Sequence, residues 1–95
     1  MSFLARFRRQ KEDPEIARRT LLLRSGRIGE ATILSTDTDD EGNTMLSYSY
    51  EIAGVIYETC QRQDKQQLLR TYDYLPGACV PLRYDPRRPA NSVVV

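Results

Sequence analysis

From Ile28 onward, apolar and polar side chains alternate with a period of two, and short polar turns interrupt the pattern. Such alternation is typical of β-strands with one face in a core and the other in water. It predicts a first strand over about 28–35 and a polar turn over 36–43. The next strand presents apolar side chains at every second position from Leu46 to Ile52.

The dipeptide Ala53-Gly54 is predicted to form the two-residue turn of a β-hairpin. A turn of that length fixes the pairing partner of every residue on both strands. The six alternate residues nearest the turn then lie on one face, so the turn length and the alternation predict the same register. The predicted cross-strand pairs are Ile52 with Val55, Tyr50 with Tyr57, and Tyr48 with Thr59.

The alternation returns in a fourth strand, which points Val80, Leu82 and Tyr84 inward. Because Pro81 has no N–H group, this strand is expected to lie at an edge or a bulge at that point. A last strand over Ser92–Val95 is predicted to be a short, open edge. Such an edge favours pairing with another copy of the chain or with an extended peptide.

Asp85, Pro86 and Pro89 are predicted to form a rigid corner that leads into the last strand. The ring of Pro86 fixes its own backbone and holds Asp85 extended. The Asp85 carboxylate is expected to accept a hydrogen bond from a backbone amide just ahead of it. Pro89 is expected to prevent the turn from continuing as strand or helix. We interpret all three residues as structural.

A helix is predicted over about 14–24. Asp13 suits the N-cap, Pro14 suits the first helical position, and Gly26 suits a C-terminal stop. The short run Leu21–Leu23 also fits the start of a strand, and periodicity alone leaves both interpretations open. The residues expected on the buried side of the helix are Ile16, Ala17, Leu21 and Leu23.

Together, these elements predict an all-β fold, a small antiparallel barrel or sandwich of about five strands with an N-terminal helix. A chain of 95 residues is long enough for one core only. We divide it into a basic helical arm over 1–27 and a small β-barrel domain over 28–95. Residues 61–76 combine a helical pattern with an extended one and stay unassigned.

Three segments of the chain follow a recognisable pattern: GEATIL, YSYEIAGVIYE and PGACVPLRYDPRRPANS. The most specific piece is Tyr84-Asp85-Pro86 with Pro89, following Gly77. In these segments the chain resembles a bacterial family known as domain of unknown function 3592. The resemblance implies a small β domain that is usually attached to transmembrane helices, and it supplies no activity, substrate or catalytic residue. A weaker likeness to the OB-type barrel of NfeD-like membrane proteins implies the same architecture.

Charge divides the chain into two unlike parts, although its formal net charge is only +1. Residues 1–27 carry eight basic and three acidic side chains, and the remainder carries six basic and ten acidic ones. A basic arm on a mildly acidic body favours an anionic partner for the arm, and an ordinary solvated helix face is the alternative. The residues predicted to bind a membrane or another anionic partner are Phe3, Leu4, Arg6, Phe7, Arg8 and Arg9.

The composition argues against catalysis and against a bound cofactor. The chain has no histidine, which removes the commonest general base and metal ligand. Cys60 and Cys79 are too few to hold a tetrahedral zinc ion. In a reducing cytoplasm they are expected to be free thiols, and a disulfide between them is the alternative in an oxidising setting. We therefore predict that the chain is not an enzyme and needs no cofactor.

The acidic segment over 37–42 partly matches a calcium-binding loop, with acids at positions 1, 3 and 5 and Gly42 at position 6. Position 12 is Tyr48 instead of the required glutamate, and strands rather than helices flank the segment. We interpret it as an acidic hairpin loop whose negative charge suits a basic arm.

These observations predict a non-enzymatic protein-interaction module of unknown process, acting beside a membrane or by self-association. The longest apolar runs have three residues, far short of the ~20 needed to span a membrane, so we expect a cytoplasmic protein peripheral at the inner membrane. The alternative is an OB-type domain that binds single-stranded nucleic acid through exposed tyrosines. Buried tyrosines would favour the interaction module.

Overall fold

The computed structural model describes residues 14–95, which form a five-stranded antiparallel sheet with a helix packed on it and two short helical turns between the third and fourth strands. The helix α1 covers Pro14–Ser25. The predicted binding residues Phe3, Leu4, Arg6, Phe7, Arg8 and Arg9 lie outside the described residues. The strands are β1 (Arg27–Thr38), β2 (Thr44–Ile52), β3 (Val55–Arg62), β4 (Cys79–Asp85) and β5 (Arg88–Val94).

The five strands follow the order β3-β2-β1-β4-β5, and every neighbouring pair is antiparallel. The sheet curls into a nearly closed barrel, which confirms the predicted fold class. In sheet order β3 and β5 are the two outer strands, so the barrel closes where these two strands approach each other. We call this approach the seam.

The hairpin between β2 and β3 has the predicted register. Ile52 pairs with Val55, Tyr50 with Tyr57, and Tyr48 with Thr59. Ala53 and Gly54 both have positive φ, 52° and 83°, as a tight hairpin turn of this hand requires. The inward face is apolar as expected, except that Val55, beside the turn, stays exposed.

Helix α1 is confirmed, although its buried side differs from the predicted one. Leu22 is its one buried residue, whereas Ile16, Leu21 and Leu23 are exposed. The helix therefore rests on the barrel along a narrow line. Any one of the three consecutive leucines could face the barrel, depending on how the helix is rotated about its axis. Contacts with the barrel fix the rotation that buries the middle one, Leu22.

The core of the barrel combines aliphatic and tyrosine side chains from all strands except β3, together with one tyrosine from the segment before β4. Tyr50 stacks between Tyr48 and Tyr57, with ring centroids 5.9 and 5.3 Å away. The buried residues of this core are Ala31, Ile33, Leu46, Tyr48, Tyr50, Tyr74, Val80, Leu82 and Val94.

The unassigned stretch between β3 and β4 contains two short helical turns. The helix α2 covers Lys65–Leu68, and a 3-10 turn covers Thr71–Tyr74. The Asp64 side chain accepts a hydrogen bond from the Gln67 backbone N–H, and the Asp64 backbone N–H donates to the Gln67 side-chain oxygen. These two bonds form a capping box at the start of α2. The stretch is therefore held in a defined conformation.

The backbone hydrogen bonds of β4 and β5 explain how the two strands accommodate Pro81 and Pro89. The backbone N–H of Val95 donates to the Pro81 carbonyl at 3.2 Å. The Pro81 nitrogen, which carries no hydrogen, faces the same side of β4 and so points at Val95, just past the end of β5. Strand β4 lies between β1 and β5 and pairs regularly with β1 at Pro81, so the edge or bulge expected there is wrong; the proline is accommodated because β5 ends opposite it. The expectation that Pro89 stops the strand is wrong, because β5 already begins at Arg88 and contains Pro89. A bulge over 89–91 accommodates the proline.

The predicted corner at Asp85 and Pro86 is present. The Asp85 carboxylate accepts a hydrogen bond from the Arg87 backbone N–H at 2.9 Å, and Asp85 pairs with Arg88 across the turn. The corner is a tight turn, and it lies where α1 ends, beside Gly26. The hydrogen bond expected at the Asp85 carboxylate is therefore present.

The alternative of a disulfide between Cys60 and Cys79 is wrong for this fold. Both thiols are free and exposed, one on β3 and the other at the start of β4. Strands β2 and β1 lie between them in the sheet. The two cysteines therefore do not pair in this structure.

Candidate functional site at the seam end of the barrel

The seam is closed by side chains instead of a backbone ladder. The side-chain amide of Gln61 on β3 makes two hydrogen bonds to Val94 on β5: its Nε2 donates to the Val94 carbonyl at 3.1 Å, and its Oε1 accepts from the Val94 N–H at 2.9 Å. An amide placed in this way imitates the edge of another strand. Gln61 is 4% exposed, so these bonds form away from water.

Residues from the stretch after β3 add to this closure. Gln67 Nε2 donates to the same Val94 carbonyl at 2.8 Å, and the Tyr74 hydroxyl donates to the Val95 carbonyl at 2.8 Å. Gln67 and Tyr74 are buried. The stretch over 64–75 is thus fixed to the end of β5 at two points.

Helix α1 lies across the seam and ties both strands together. Arg18 donates to the Ser92 carbonyl on β5 at 2.7 Å and to Asn91 Oδ1 at 2.9 Å. Arg19 donates to the Arg62 carbonyl at the end of β3 and approaches the Asp64 carboxylate at 3.6 Å. The first half of α1 therefore lies beside the start of α2. We call this part of the molecule the seam end.

Glu15 orients the two arginines. It forms ion pairs with Arg18 at 2.9 Å and Arg19 at 3.1 Å. The hydrogen bond from Arg18, and the positive charge beside it, lower the pKa of Glu15 below its usual value. The same contact with Glu15 raises the pKa of Arg18. The cluster therefore stays charged and holds α1 in place.

The prediction that Ser92–Val95 forms an open edge is wrong. Val93 and Val94 are buried, with Val94 only 1% exposed. Arg18, Gln61 and Gln67 occupy the backbone groups of Ser92 and Val94 that a partner strand would use. The last strand is thus covered within the chain.

An exposed apolar surface stands on the fixed stretch between β3 and β4. Leu69 is 83% exposed and Tyr72 is 87% exposed, although neighbouring Gln67 and Tyr74 are buried. Leu68 and Leu75 belong to the same stretch and are each about half exposed. We call Leu68, Leu69, Tyr72 and Leu75 the contact patch.

The acidic hairpin loop lies at the seam end too. Asp39 accepts hydrogen bonds from the backbone N–H groups of Glu41 and Asn43 at 2.9 and 2.8 Å, and these bonds lower its pKa. Its loop forms one wall of an open groove of about 530 Å³, and Glu15 at the start of α1 lies on the opposite side. The loop is thus an ordered acidic hairpin, as predicted. Within residues 14–95, no group of three or more Cys, Asp or Glu side chains is arranged to hold a metal ion.

The tyrosines that an OB-type interpretation requires at the surface are inside the barrel. Tyr48 and Tyr50 are buried, and their hydroxyls bond to Ser92 Oγ at 2.8 Å and to the Pro89 carbonyl at 2.5 Å. Burial raises the pKa of Tyr48 to about 12. The Tyr48 hydroxyl therefore remains a neutral hydrogen-bonding group at physiological pH.

Comparison with known proteins gives the class of this molecule. The family model described as domain of unknown function DUF3592 matches residues 25–95. The chain belongs to this family. No curated protein and no solved structure matches it, and the likeness to NfeD-like proteins is not confirmed. In the part of the chain that the structure describes, no helix is long and apolar enough to cross a membrane.

Sequence reasoning missed the residues that build the seam end. Gln61 lies two positions after Thr59, so it is on the inward-facing side of β3. A glutamine at an inward-facing position was the available signal. The D-x-x-Q spacing of Asp64 and Gln67 was the signal for the capped turn. The contact patch gave no signal, because its three leucines and its tyrosine resemble core residues.

Proposed function

We propose that this chain is a non-enzymatic protein-interaction module that works beside a membrane, with the contact patch as its binding face. The observation that carries the proposal is the exposure of Leu69 and Tyr72 on a stretch that is otherwise fixed to the barrel. Large exposed apolar side chains grouped in one short stretch of a folded domain commonly mark a site of association.

Rigidity makes the contact patch suitable for binding. The capping box at Asp64 and the buried anchors Gln67 and Tyr74 hold the stretch in one conformation before any partner arrives. Arg70 adds a further restraint, because its guanidinium lies 5.5 Å from the centre of the Tyr74 ring. A preordered surface loses little conformational entropy on binding, so more of the apolar burial contributes to affinity.

The setting beside a membrane is supported by charge and by position. The basic segment with Phe3, Phe7 and its arginines suits an anionic lipid surface. It leads into Pro14, and α1 begins at the seam end, where Arg19 lies beside Asp64. Helix α1 thus begins at the end of the barrel that also carries the contact patch. We infer a cytoplasmic protein that is peripheral at the inner membrane.

A non-enzymatic role is supported by how the buried polar groups are used. Gln61 and Gln67 bond to the backbone of Val94, and Tyr48 bonds to Ser92. Among the described residues, no buried side-chain nitrogen or oxygen lacks a hydrogen-bond partner. These groups therefore serve the fold, and the burial of Tyr48 and Tyr50 favours protein over nucleic acid as the partner.

Photo-cross-linking in the cell tests this proposal. We expect a photoreactive amino acid at position 72 of the full chain to give one discrete protein adduct that is recovered with the membranes. The same reagent at Glu58, which is exposed on the outer face of β3, should not give that adduct. Adducts that are identical at both positions, or absent at position 72, would contradict a binding face at the patch.

A charge placed on the patch provides the matched control. Leu69→Asp should lower the yield of the adduct at position 72, because the carboxylate would lose its water on binding. Ile56→Asp changes another exposed apolar residue on a different face and should leave the yield unchanged. Equal losses in the two variants would show that the adduct does not depend on the patch.

A further inference from the structure

We propose that the outer edge of β3 binds an extended segment of a partner protein in which apolar and basic side chains alternate. The segment adds to the sheet as a further strand, through main-chain hydrogen bonds to residues 55–60. We call the seam side of these residues the β3 edge. It begins beside the turn at Ala53-Gly54, whereas the contact patch follows the other end of β3, so the inference does not depend on the proposed function.

The seam is closed at one end only. The side chain of Gln61 bonds to β5, and the carbonyl of Arg62 accepts a hydrogen bond from α1. Within residues 14–95, β2 is the one strand that pairs with residues 55–60. Val55 belongs to the inward face of β3 and is nevertheless 51% exposed, as expected where the barrel wall stops at β3. The β3 edge is therefore open.

The hairpin register shows which main-chain groups of the β3 edge are unpaired. Residues that flank a two-residue turn form a hydrogen-bonded pair, so every second residue from Val55 bonds to β2. The residues between them turn their N–H and C=O groups toward the seam, and these residues are Ile56, Glu58 and Cys60. The Arg62 carbonyl, in the same phase, accepts its bond from α1, which agrees with this alternation. In the described part of the chain, no other element bonds to the main chain of the three residues.

Nothing in the local sequence protects this edge from pairing. Proteins usually protect an open edge with a proline, a lysine or a bulge. Residues 55–62 contain neither proline nor lysine, and their register with β2 is regular throughout. Ile56, in the middle of the open part, is 68% exposed. The β3 edge is therefore a regular template for an added strand.

Charge indicates the chemistry of that strand. Glu58 is exposed on the outer face of the β3 edge. Glu51 lies opposite Ile56 on β2, and both line an open depression of about 430 Å³ together with Glu30 of β1. Within residues 14–95, none of these three carboxylates forms an ion pair with a basic side chain. They favour lysine or arginine on the outer face of the added strand, and they oppose pairing with a second copy, which brings the same carboxylates.

Apolar side chains are favoured at the alternate positions of the partner. Successive side chains of a strand point to opposite faces of the sheet, so the residues between the basic ones face the barrel side. There they lie beside Val55 and the half-buried ring of Tyr57. The partner segment therefore combines basic residues on one face with apolar residues on the other.

A peptide titration of the full chain, followed by NMR, tests this assignment. The probe is a short blocked peptide of alternating valine and lysine, and the control peptide has glutamate in place of lysine. We expect the lysine peptide to bind about fivefold more tightly. It should slow hydrogen exchange at the amides of Ile56 and Glu58, whereas those of Tyr57 and Thr59, which already bond to β2, should change little. Equal binding of the two peptides, or slowing confined to the acidic hairpin loop, would overturn the proposal.

Reversing one charge tests the specificity. Glu58→Lys changes an exposed side chain and should shift the preference toward the glutamate peptide. Glu41→Lys makes the same change in the acidic hairpin loop and should leave the preference unchanged. An unaltered preference in Glu58→Lys, or equal shifts in both variants, would contradict a basic partner at the β3 edge.

A dilution series without peptide separates a second copy from a partner. Hydrogen exchange at Ile56 and Glu58 should be fast at every protein concentration. Protection that rises with concentration would show that another copy occupies the β3 edge, and it would overturn the proposal. None of these samples involves the contact patch, so failure here leaves the cross-linking test at position 72 unaffected.

Discussion

Tyr50→Ala is expected to lower the free energy of unfolding by about 3–5 kcal/mol, the range for removal of a large aromatic side chain from a core. Tyr50 is buried, stacks between Tyr48 and Tyr57, and donates its hydroxyl to the Pro89 carbonyl. The change removes both ring contacts and opens a cavity in the core, near the turn between β2 and β3. Urea unfolding followed by circular dichroism measures the loss.

Two controls separate the parts of this effect. Tyr50→Phe keeps the ring and removes one hydrogen bond, so its loss should be about 0.5–1.5 kcal/mol. Tyr72→Ala removes a tyrosine that is almost fully exposed and should change stability by no more than about 0.5 kcal/mol. A loss below about 1 kcal/mol for Tyr50→Ala would mean that its ring is not part of a packed core.

Gln61→Met is expected to cost about 1–3 kcal/mol, because it leaves the buried N–H of Val94 without an acceptor. Methionine is similar to glutamine in size, so the volume of the seam changes little. The Val94 carbonyl keeps its bond from Gln67, and the effect therefore reports mainly on one lost partner. Hydrogen exchange at the Val94 amide should accelerate in step with the loss of stability.

Gln66→Met is the matched control for the seam. Gln66 lies on α2 one residue before Gln67 and is exposed, so the same substitution there should be nearly neutral. Equal effects at the two positions, or unchanged protection of the Val94 amide in Gln61→Met, would show that the seam is not held by the Gln61 amide.

Local patterns in the sequence were enough to predict the hairpin. The register of Tyr50 with Tyr57 depends on a two-residue turn and on period-two alternation, and both belong to neighbouring residues. The same holds for the Asp85 corner, where the bond to Arg87 spans two residues. Features that are settled within a few positions of the chain are those that a sequence specifies most directly.

Contacts between distant segments decided what the sequence did not predict. Leu22 is buried instead of Leu21 and Leu23 because Arg18 and Arg19 are held by β5 and by the end of β3. The open edge expected at the last strand is closed by Gln61 and Gln67, which precede Val94 by 33 and 27 positions. No local pattern reports a bond of that kind.

The contact patch is a second feature that local sequence patterns do not predict. Tyr72 and Tyr74 belong to one short stretch of similar composition, yet Tyr72 is exposed and Tyr74 is buried. The Tyr74 hydroxyl donates to the Val95 carbonyl, and this bond holds the Tyr74 ring against the barrel, whereas the Tyr72 ring lies in water. An exposed apolar patch made of such residues becomes visible only after folding.

Sedimentation with lipid vesicles tests the claim that the chain works beside a membrane. We expect the full chain to bind anionic vesicles at low salt, to be released by high salt, and to ignore neutral vesicles. Changing Arg6, Arg8 and Arg9 to glutamine should weaken binding about a hundredfold, at about 1 kcal/mol for each charge near the surface. The same change at Arg24, Arg87 and Arg88 removes equal charge elsewhere and should have little effect. Equal losses in the two triple variants, or no binding of the unaltered chain at low salt, would contradict the claim.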